Sequence, residues 1–298
     1  MLWLATAELA AAVSNAGGLG VISPYAGMEE NGDPLLNLRL QISRTRKLTE
    51  KPFGVNIPLD LPESGLLLDV LLGENVRIVI TAAGDPMPYT ELLHSAGIRV
   101  AHVISSVSQA RIAESCKVDA VIAEGVEAGG RLGREELSLF SLLPQVADAV
   151  SIPVIAAGGI ADGRGLAAAF ALGADGVQLG TRFIATEECI AHPGYKQAIV
   201  DAGDSDTLVT RRGLVPTRSL KSDFSVELAA LEKPGASAED LRKHVGRGRA
   251  RKAQIEGNLT DGDAYAGSSA GLVKEVLPAA VVIENLIKTY AKTIIPKL

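Results

Sequence analysis

The chain has 298 residues, 47% of them hydrophobic but only 4% aromatic, so it can bury one large α/β core built from aliphatic side chains. A net charge of −6 argues against a nucleic-acid-binding surface. No apolar run reaches the length of a membrane span, and the N-terminus lacks a signal-peptide pattern. The composition therefore predicts a cytoplasmic protein, without a membrane or nucleic-acid partner.

The first elements alternate between helix and strand. A helix is expected over 5–16, with Thr6 as its N-cap. Short apolar runs then alternate with helical segments, which is typical of βα units around a parallel sheet. Strands are predicted at 18–23, 53–59, 77–84, 99–106, 119–125, 152–159 and 175–183. These seven strands predict an α/β TIM (β/α)8-type barrel whose first strand is expected to lie before residue 1.

Beyond residue 184 this alternation breaks. Helix is expected over 194–203, extended chain over 207–224, and a last helix over 277–292. Two charged helices separated by "KPGAS" are expected within 226–258. The predicted organisation is a barrel over 1–200, a small lid over 201–270 inserted after the last strand, and a C-terminal segment, 271–298, whose helix returns to the barrel.

Glycines follow two neighbouring strands in "AAGGIADG" (156–163) and "QLGTRF" (178–183). Glycine lets an anion approach the backbone N–H groups, and the loops after the last two strands of such a barrel commonly hold a phosphate. No Gly-x-Gly-x-x-Gly or Walker motif indicates a dinucleotide or nucleoside triphosphate. Asn56, at the end of another strand, suits either the edge of a heterocycle or a turn. Cys116 and Cys189 show no metal-ligand or disulfide spacing, so no metal site is predicted.

Several long segments resemble the nitronate monooxygenase (2-nitropropane dioxygenase) family, which includes the flavin-dependent enoyl-ACP reductase II. They are "KPFGVNI", "DAVIAEGVEAGG", "IPVIAAGGIADGRG", "GADGVQLGTRFIATEE" and "HPGYKQAI". The later "GRGRARKAQIEGNLTDGD" and "AGSSAGLVKEV" are most similar to the enoyl reductase branch. The resemblance covers nearly the whole chain and implies a TIM barrel with a lid and one non-covalent FMN.

The resemblance also implies where FMN would bind. It places the phosphate on Gly158, Gly159, Gly180 and Thr181, and the flavin ring against Met1, Asn56 and Gly84. Glu124 and Gly125 would lie on the ribityl side. The remaining cofactor-binding positions that it implies are Ala128, Gly129, Gly130 and Ala157.

The segment "EGVEAGGRLG" (124–133) departs from the family at one position. The family carries a histidine, its expected general base, where this chain has Arg131. A guanidinium stays protonated and cannot accept a proton at neutral pH, but it can bind an anion. Arg131 therefore fits a nitronate, which is already an anion, better than a neutral nitroalkane. Glu127 on the same loop either pairs with Arg131 or stands alone.

No other histidine clearly replaces the missing base. His192 follows the last strand and is the one candidate retained as catalytic. His94 is expected on the barrel exterior, His102 in the core, and His244 in the lid.

Three functions remain open. The first is an FMN-dependent, nitronate monooxygenase-like oxidation of a small anion with O2. The second is reduction of an enoyl thioester or quinone by NADH or NADPH, with acyl carrier protein as a partner. The third, from another class, is a flavin-binding protein that lost catalysis with its histidine. The first two take a small-molecule substrate, and a homodimer is compatible with all three.

Overall fold

The computed structural model describes residues 1–232 and 236–294. Its main sheet contains seven parallel strands in the order β1-β2-β3-β4-β5-β7-β8. These strands are β1 Gly20–Ile22, β2 Phe53–Pro58, β3 Ile78–Ala82, β4 Arg99–Ile104, β5 Ala120–Glu124, β7 Val154–Ala157 and β8 Gly176–Gln178. All seven predicted strands are present, and the sheet is the curled parallel sheet of a TIM-type barrel. Within the described residues, β1 and β8 each pair with one neighbour only.

Helices connect the strands and cover the outside of the sheet. They are α1 Ala7–Asn15, α2 Pro34–Leu48, α3 Ser64–Gly73, α4 Met87–Ser95, α5 Val107–Ser115, α6 Leu139–Ala147, α7 Gly163–Ala171 and α8 Thr181–Ile184. The buried apolar side chains of the strands are Val, Ile and Ala, as expected for a sheet covered by helices. Thr6 does precede α1 as its N-cap, but its hydroxyl accepts no capping hydrogen bond and is buried without a partner.

A second, antiparallel sheet lies beside the barrel, with strand order β6-β10-β9. It consists of β6 Gly130–Arg131, β9 Thr207–Thr210 and β10 Thr217–Leu220. Strand β6 belongs to the loop after β5, whereas β9 and β10 belong to the predicted lid segment. The pairing of β10 with β6 therefore connects that segment to the barrel at Arg131. The remaining elements are α9 Pro193–Asp201, α10 Asp223–Leu231, α11 Ala238–Val245, α12 Arg249–Gln254, a 3-10 turn Ser268–Leu272 and α13 Ala279–Ile294.

The prediction of two helices within 226–258 is wrong: α10, α11 and α12 span 223–254. The first of them begins early because Ser222 and Ser225 form a reciprocal capping box, which ends the extended stretch predicted to reach 224. The predicted "KPGAS" break overlaps 233–235, which lie outside the described residues. Both cysteines are free and buried. In the described part of the chain, no helix is both long and apolar enough to cross a membrane.

The C-terminal helix α13 packs against α7 and α1, the helices next to the two edge strands. Its contact with α7 is close at Gly163, where an added Cβ would lie 2.1 Å from the Tyr290 nitrogen and 2.4 Å from the Leu286 oxygen. Both atoms are backbone and cannot rotate away, so only glycine fits at this helix crossing.

Replacing Gly163 by alanine is therefore expected to destabilise the protein by about 1–3 kcal/mol, the usual cost of overpacking. Gly65→Ala is the matched control, because a Cβ there meets nothing within 4 Å. Urea unfolding of both variants measures the difference. Equal stability of the two variants would contradict the observed packing of α13.

Candidate functional site

The carboxyl ends of the central strands bring the predicted residues to one edge of the sheet. Glu124 pairs in register with Ala157, and Ala157 with Gln178, so the loops that follow β5, β7 and β8 start side by side. Asn56 lies on β2, where its side-chain Nδ2 donates to the Ile80 carbonyl oxygen at 3.1 Å. The side-chain oxygen of Asn56 is the group left to meet a ligand.

The turn after β7 requires glycine at both positions. Gly158 and Gly159 have φ of +93° and +74°, a region that L-residues rarely adopt. A Cβ on Gly158 would also lie 2.9 Å from the Ala128 nitrogen and 3.1 Å from the Gly125 oxygen. The two glycines therefore let this turn press against the loop that follows β5.

Backbone donors are free at this edge. Within residues 1–232 and 236–294, the amides of Gly158, Gly159, Gly180 and Thr181 donate to no protein acceptor. Gly180 is exposed, and a Cβ there would meet nothing within 4 Å. Four free N–H groups beside open space suit a phosphate. The arrangement of these four amides fits the phosphate group of FMN.

The loop after β5 is held rigidly from behind. The Glu127 carboxylate accepts from the Leu139 amide at 2.9 and 3.1 Å, and its backbone oxygen accepts from the Ser268 amide at 2.9 Å. The Gly267 amide donates to the Thr181 hydroxyl at 2.9 Å. Gly129 packs so tightly on this segment that a Cβ would lie 2.6 Å from the Gly267 nitrogen.

The turn after β3 shows backbone strain that the sequence did not signal. Ala83 has φ of +53° and is exposed, and Gly84 follows with φ of +134°. Non-glycine residues in the left-handed region are costly and cluster at active sites and ligand-binding turns. Gly84 was predicted to face the flavin ring, and Ala83 beside it was missed.

Arg131 lies on β6 and pairs in register with Thr217 of β10. Its guanidinium Nη2 lies 2.5 Å from the Asp60 carboxylate Oδ2, and the two side chains are 47% and 36% exposed. The alternative in which Glu127 holds Arg131 is wrong, because the described partner of Arg131 is Asp60, while the Glu127 carboxylate accepts from the Leu139 amide. Asp60, on the loop after β2, was missed because the two residues are 71 apart in sequence.

The structure gives His192 a local role. It is the N-cap of α9, and its ring Nδ1 accepts from the Gly194 amide at 3.1 Å. Gly257 lies so close that a Cβ would be 2.3 Å from the same nitrogen. The ring is thus confined between α9 and the segment around Gly257.

The other three histidines lie where they were expected. His94 bonds Asp119 on the barrel exterior at 2.9 Å. His102 is buried, its Nδ1 lies 2.7 Å from the Thr81 hydroxyl, and burial lowers its pKa to about 4. His244, in the predicted lid segment, stacks on Phe224 with ring centroids 5.6 Å apart.

Glu124 has the most perturbed acidic group at this edge. Withdrawal from water raises the pKa of Glu124 to about 7, while the positive charge of the Met1 ammonium group acts in the opposite direction. Met1 itself is 40% exposed. A carboxyl that titrates near neutral pH is typical of a functional site.

The raised pKa of Glu124 predicts how stability changes with pH. Its protonated form favours the fold, so this contribution is complete below the ordinary value of 4.5 and is lost as pH rises through about 7. The melting temperature of flavin-free Glu124→Gln should therefore fall less than that of wild type between these pH values. The exposed Glu29→Gln is the control. If the melting temperatures of wild type and Glu124→Gln changed equally with pH, the raised pKa of Glu124 would be contradicted.

Sequence reasoning also missed a group of polar residues from the second sheet. Arg218 and Tyr265 contact the loop after β5, and Arg211 links Tyr265 to the buried Asp263. Arg218 Nε donates to the Val126 carbonyl oxygen at 2.9 Å, and the Tyr265 ring contacts Gly130. No motif in the chain connects residues so far apart, so only the folded structure brings them to the site.

Comparison with known proteins gives a consistent family. The family model described as nitronate monooxygenase matches residues 1–66 and 65–289. A curated nitronate monooxygenase of Paraburkholderia phytofirmans is 31% identical over 333 residues, covering 96% of this chain and 89% of that protein.

A thioester enzyme is also among the relatives. "(3aS,4S,5R,7aS)-5-hydroxy-7a-methyl-1-oxo-octahydro-1H-indene-4-carboxyl-CoA dehydrogenase" of Rhodococcus jostii is 41% identical over 225 residues. That match covers 75% of this chain and 62% of the relative, less than two thirds of its length.

Among solved structures, FabK from Thermotoga maritima superposes with a TM-score of 0.91 at 44% identity, covering 99% of this chain and 91% of that one. FabK is an enoyl-ACP reductase II. The chain belongs to the nitronate monooxygenase family of flavin-dependent oxidoreductases.

Proposed function

We propose that the protein is an FMN-dependent oxidoreductase that reduces an enoyl thioester with NADH or NADPH. The phosphate of FMN would be held by the free amides of Gly158, Gly159, Gly180 and Thr181. Asn56 and Gly84 would meet the flavin ring. When bound, a flavin supplies hydride transfer, and the chain supplies orientation and proton transfer.

The ion pair between Arg131 and Asp60 carries the choice of substrate. Where the family has its base, this chain has a cation that cannot accept a proton and is already paired with a carboxylate. Proton abstraction from a neutral nitroalkane therefore lacks an agent, and a small anion would have to compete with Asp60. A neutral enoyl thioester needs neither a base nor a free cation, because it accepts a hydride and then a proton.

The relatives support this choice. The 44% identity to FabK exceeds the 31% identity to the Paraburkholderia nitronate monooxygenase. The Rhodococcus relative, 41% identical, acts by its name on a carboxyl-CoA thioester. An acyl carrier protein or coenzyme A is accordingly the carrier of the proposed substrate.

A second candidate is the oxidation of a nitronate with O2. It is favoured by the half-exposed Arg131 guanidinium, which would bind the anion if Asp60 released it. In that case Arg131→Ala should raise the apparent Michaelis constant for nitronate, because the substrate loses its cationic partner.

The experiment that separates these functions uses the flavin as its own reporter. Oxidised holoprotein is first mixed anaerobically with NADH or NADPH, and the reduced protein is then mixed with crotonyl-CoA. In a separate experiment, oxidised holoprotein is mixed anaerobically with nitronate alone. Bleaching by the nicotinamide and recovery of colour with crotonyl-CoA is the expected result. Bleaching of oxidised protein by nitronate alone, with none by either nicotinamide, would favour the second candidate. No reaction with any of these compounds would leave a flavin-binding protein without catalysis and overturn the proposal.

A further inference from the structure

The proposed reduction needs a proton at C2 of the thioester, and Arg131 cannot serve as its source under ordinary conditions. A donor should lie beside Arg131, have an ionisable hydrogen free of protein acceptors, and have a neighbour that stabilises its conjugate base. Tyr265 meets all three requirements.

Tyr265 lies next to Gly130, the residue before Arg131. A Cβ on Gly130 would be 3.6 Å from the ring atom Cδ2 of Tyr265, which is ordinary contact. The backbone of Tyr265 bridges to Ser219 of β10, the strand that also pairs with β6. Its backbone oxygen accepts from the buried Tyr195 hydroxyl. The ring is therefore positioned by three elements on the edge of the site.

The Tyr265 hydroxyl oxygen faces a buried cation. Arg211 Nη1 donates to it at 3.4 Å, and Arg211 is itself fixed by an ion pair with the buried Asp263. Because a guanidinium can only donate, the Tyr265 oxygen must accept, and its own proton stays available. In the part of the chain that the structure describes, that hydroxyl donates to no acceptor.

The backbone of Arg211 is held in an unusual conformation. Its φ is +63°, which is costly for a residue with a side chain, and its Nε is buried without a partner. The Arg211 guanidinium is shared between the buried Asp263 carboxylate and the Tyr265 hydroxyl. A cation there stabilises negative charge that develops on the tyrosine oxygen.

The charges around Tyr265 act in opposite directions. Burial raises the pKa of Tyr265, as does the carboxylate of Asp263, whereas the Arg211 and Arg131 guanidinium groups act to lower it. The net direction is upward, so the hydroxyl is protonated at neutral pH. Both arginines favour the phenolate once the proton has left.

From this geometry we propose that Tyr265 is the proton donor of the reaction, with Arg211 as its positioning residue. The inference rests on the proposed function. When bound, reduced FMN would supply the hydride that C3 of the enoyl thioester accepts, and the C2–C3 π electrons would become those of an enolate. The Tyr265 O–H bond then breaks, its proton bonds to C2, and the phenolate recovers a proton from water. Two electrons and two hydrogens reach the substrate, and the nicotinamide is oxidised.

The decisive test separates the two half-reactions in wild type, Tyr265→Phe and the matched control Tyr290→Phe. Tyr290 is on α13, where its ring packs on Phe170 away from the strand ends. Flavin reduction by NAD(P)H should be unchanged in all three proteins. Reoxidation of the reduced flavin by crotonyl-CoA should slow about 100-fold or more in Tyr265→Phe only, since general acids typically contribute 10²–10⁴-fold.

A second measurement does not depend on turnover. Nitration by tetranitromethane, followed by peptide mass spectrometry, should modify Tyr265 in flavin-free protein and spare it when FMN and butyryl-CoA are both bound. Nitration of Tyr290 should be the same in both states. Equal nitration of Tyr265 with and without ligands would overturn the inference, because the hydroxyl would then not face the substrate.

The outcomes distinguish the two proposals. If reduced wild-type protein does not react with crotonyl-CoA, the proposed function fails, and the role of Tyr265 fails with it. If wild type reacts and Tyr265→Phe reacts equally fast, only the inference is overturned. Glu124→Gln is measured in the same way. If reoxidation by crotonyl-CoA slows in Glu124→Gln and not in Tyr265→Phe, the inference is overturned and the Glu124 carboxyl is the proton donor.

Discussion

Gly158→Ala is expected to abolish useful binding of FMN, raising its dissociation constant about 100-fold or more. The substitution adds a methyl group where φ is +93° and where backbone atoms lie 2.9 and 3.1 Å away. The turn after β7 and the loop after β5 must then separate. Left-handed strain costs about 1–3 kcal/mol, and each 1.4 kcal/mol changes an equilibrium constant tenfold. Both the backbone strain and the displacement of the turn would disturb the amides proposed to hold the FMN phosphate.

Gly97→Ala controls for backbone strain alone. Gly97 has φ of +74° and lies in the turn before β4, at the opposite end of the sheet, where a Cβ meets nothing within 4 Å. This variant should lose stability but bind FMN as wild type does. Fluorescence titration of the flavin-free variants with FMN measures the dissociation constant of each. Equal affinity of Gly158→Ala and Gly97→Ala would contradict the assignment of the glycine turn to the phosphate.

Arg131→His is expected to create activity on neutral nitroalkanes, about 100-fold above wild type. The substitution supplies a group that can accept a proton near pH 7, and general bases typically contribute 10²–10⁴-fold. It also frees the Asp60 carboxylate from its ion pair. Anaerobic bleaching of the flavin by nitroethane measures the gain, and Arg134→His, an exposed neighbour on the same loop, is the control.

An unchanged rate in Arg131→His would show that the missing histidine is not what separates this chain from nitroalkane oxidation. Asp60 would then be the next residue to replace, because it is the one carboxylate of the described chain that pairs with Arg131. A gain shared by Arg134→His would indicate a general charge effect.

The barrel strands were predictable because each is a short apolar run between turn residues. Helix starts depend on similarly local residues: at the start of α7 the Asp162 carboxylate accepts from the Arg164 amide at 2.9 Å. The glycines after β7 and β8 were recognisable for the same reason. Their signal lies within a few neighbouring residues, and the resemblance to a family added the cofactor.

The second sheet and its charges were not predictable in this way. Strand β6 has only two residues, too few for a periodic pattern, and its partner β10 lies more than 80 positions later in the chain. The Arg131–Asp60 pair and the Arg211–Tyr265 contact likewise join distant segments. A sequence shows the charge of each residue but not which opposite charge folding brings beside it. His192 was singled out because it follows the last strand closely, which does not reveal that it caps α9.

The visible spectrum of the purified protein tests the central claim most directly, that the glycine-lined strand ends hold FMN. A flavin spectrum is predicted, with FMN released on heating in a ratio of about one per chain and absent from Gly158→Ala. A colourless protein that gains no flavin spectrum and no quenching of added FMN would contradict the account.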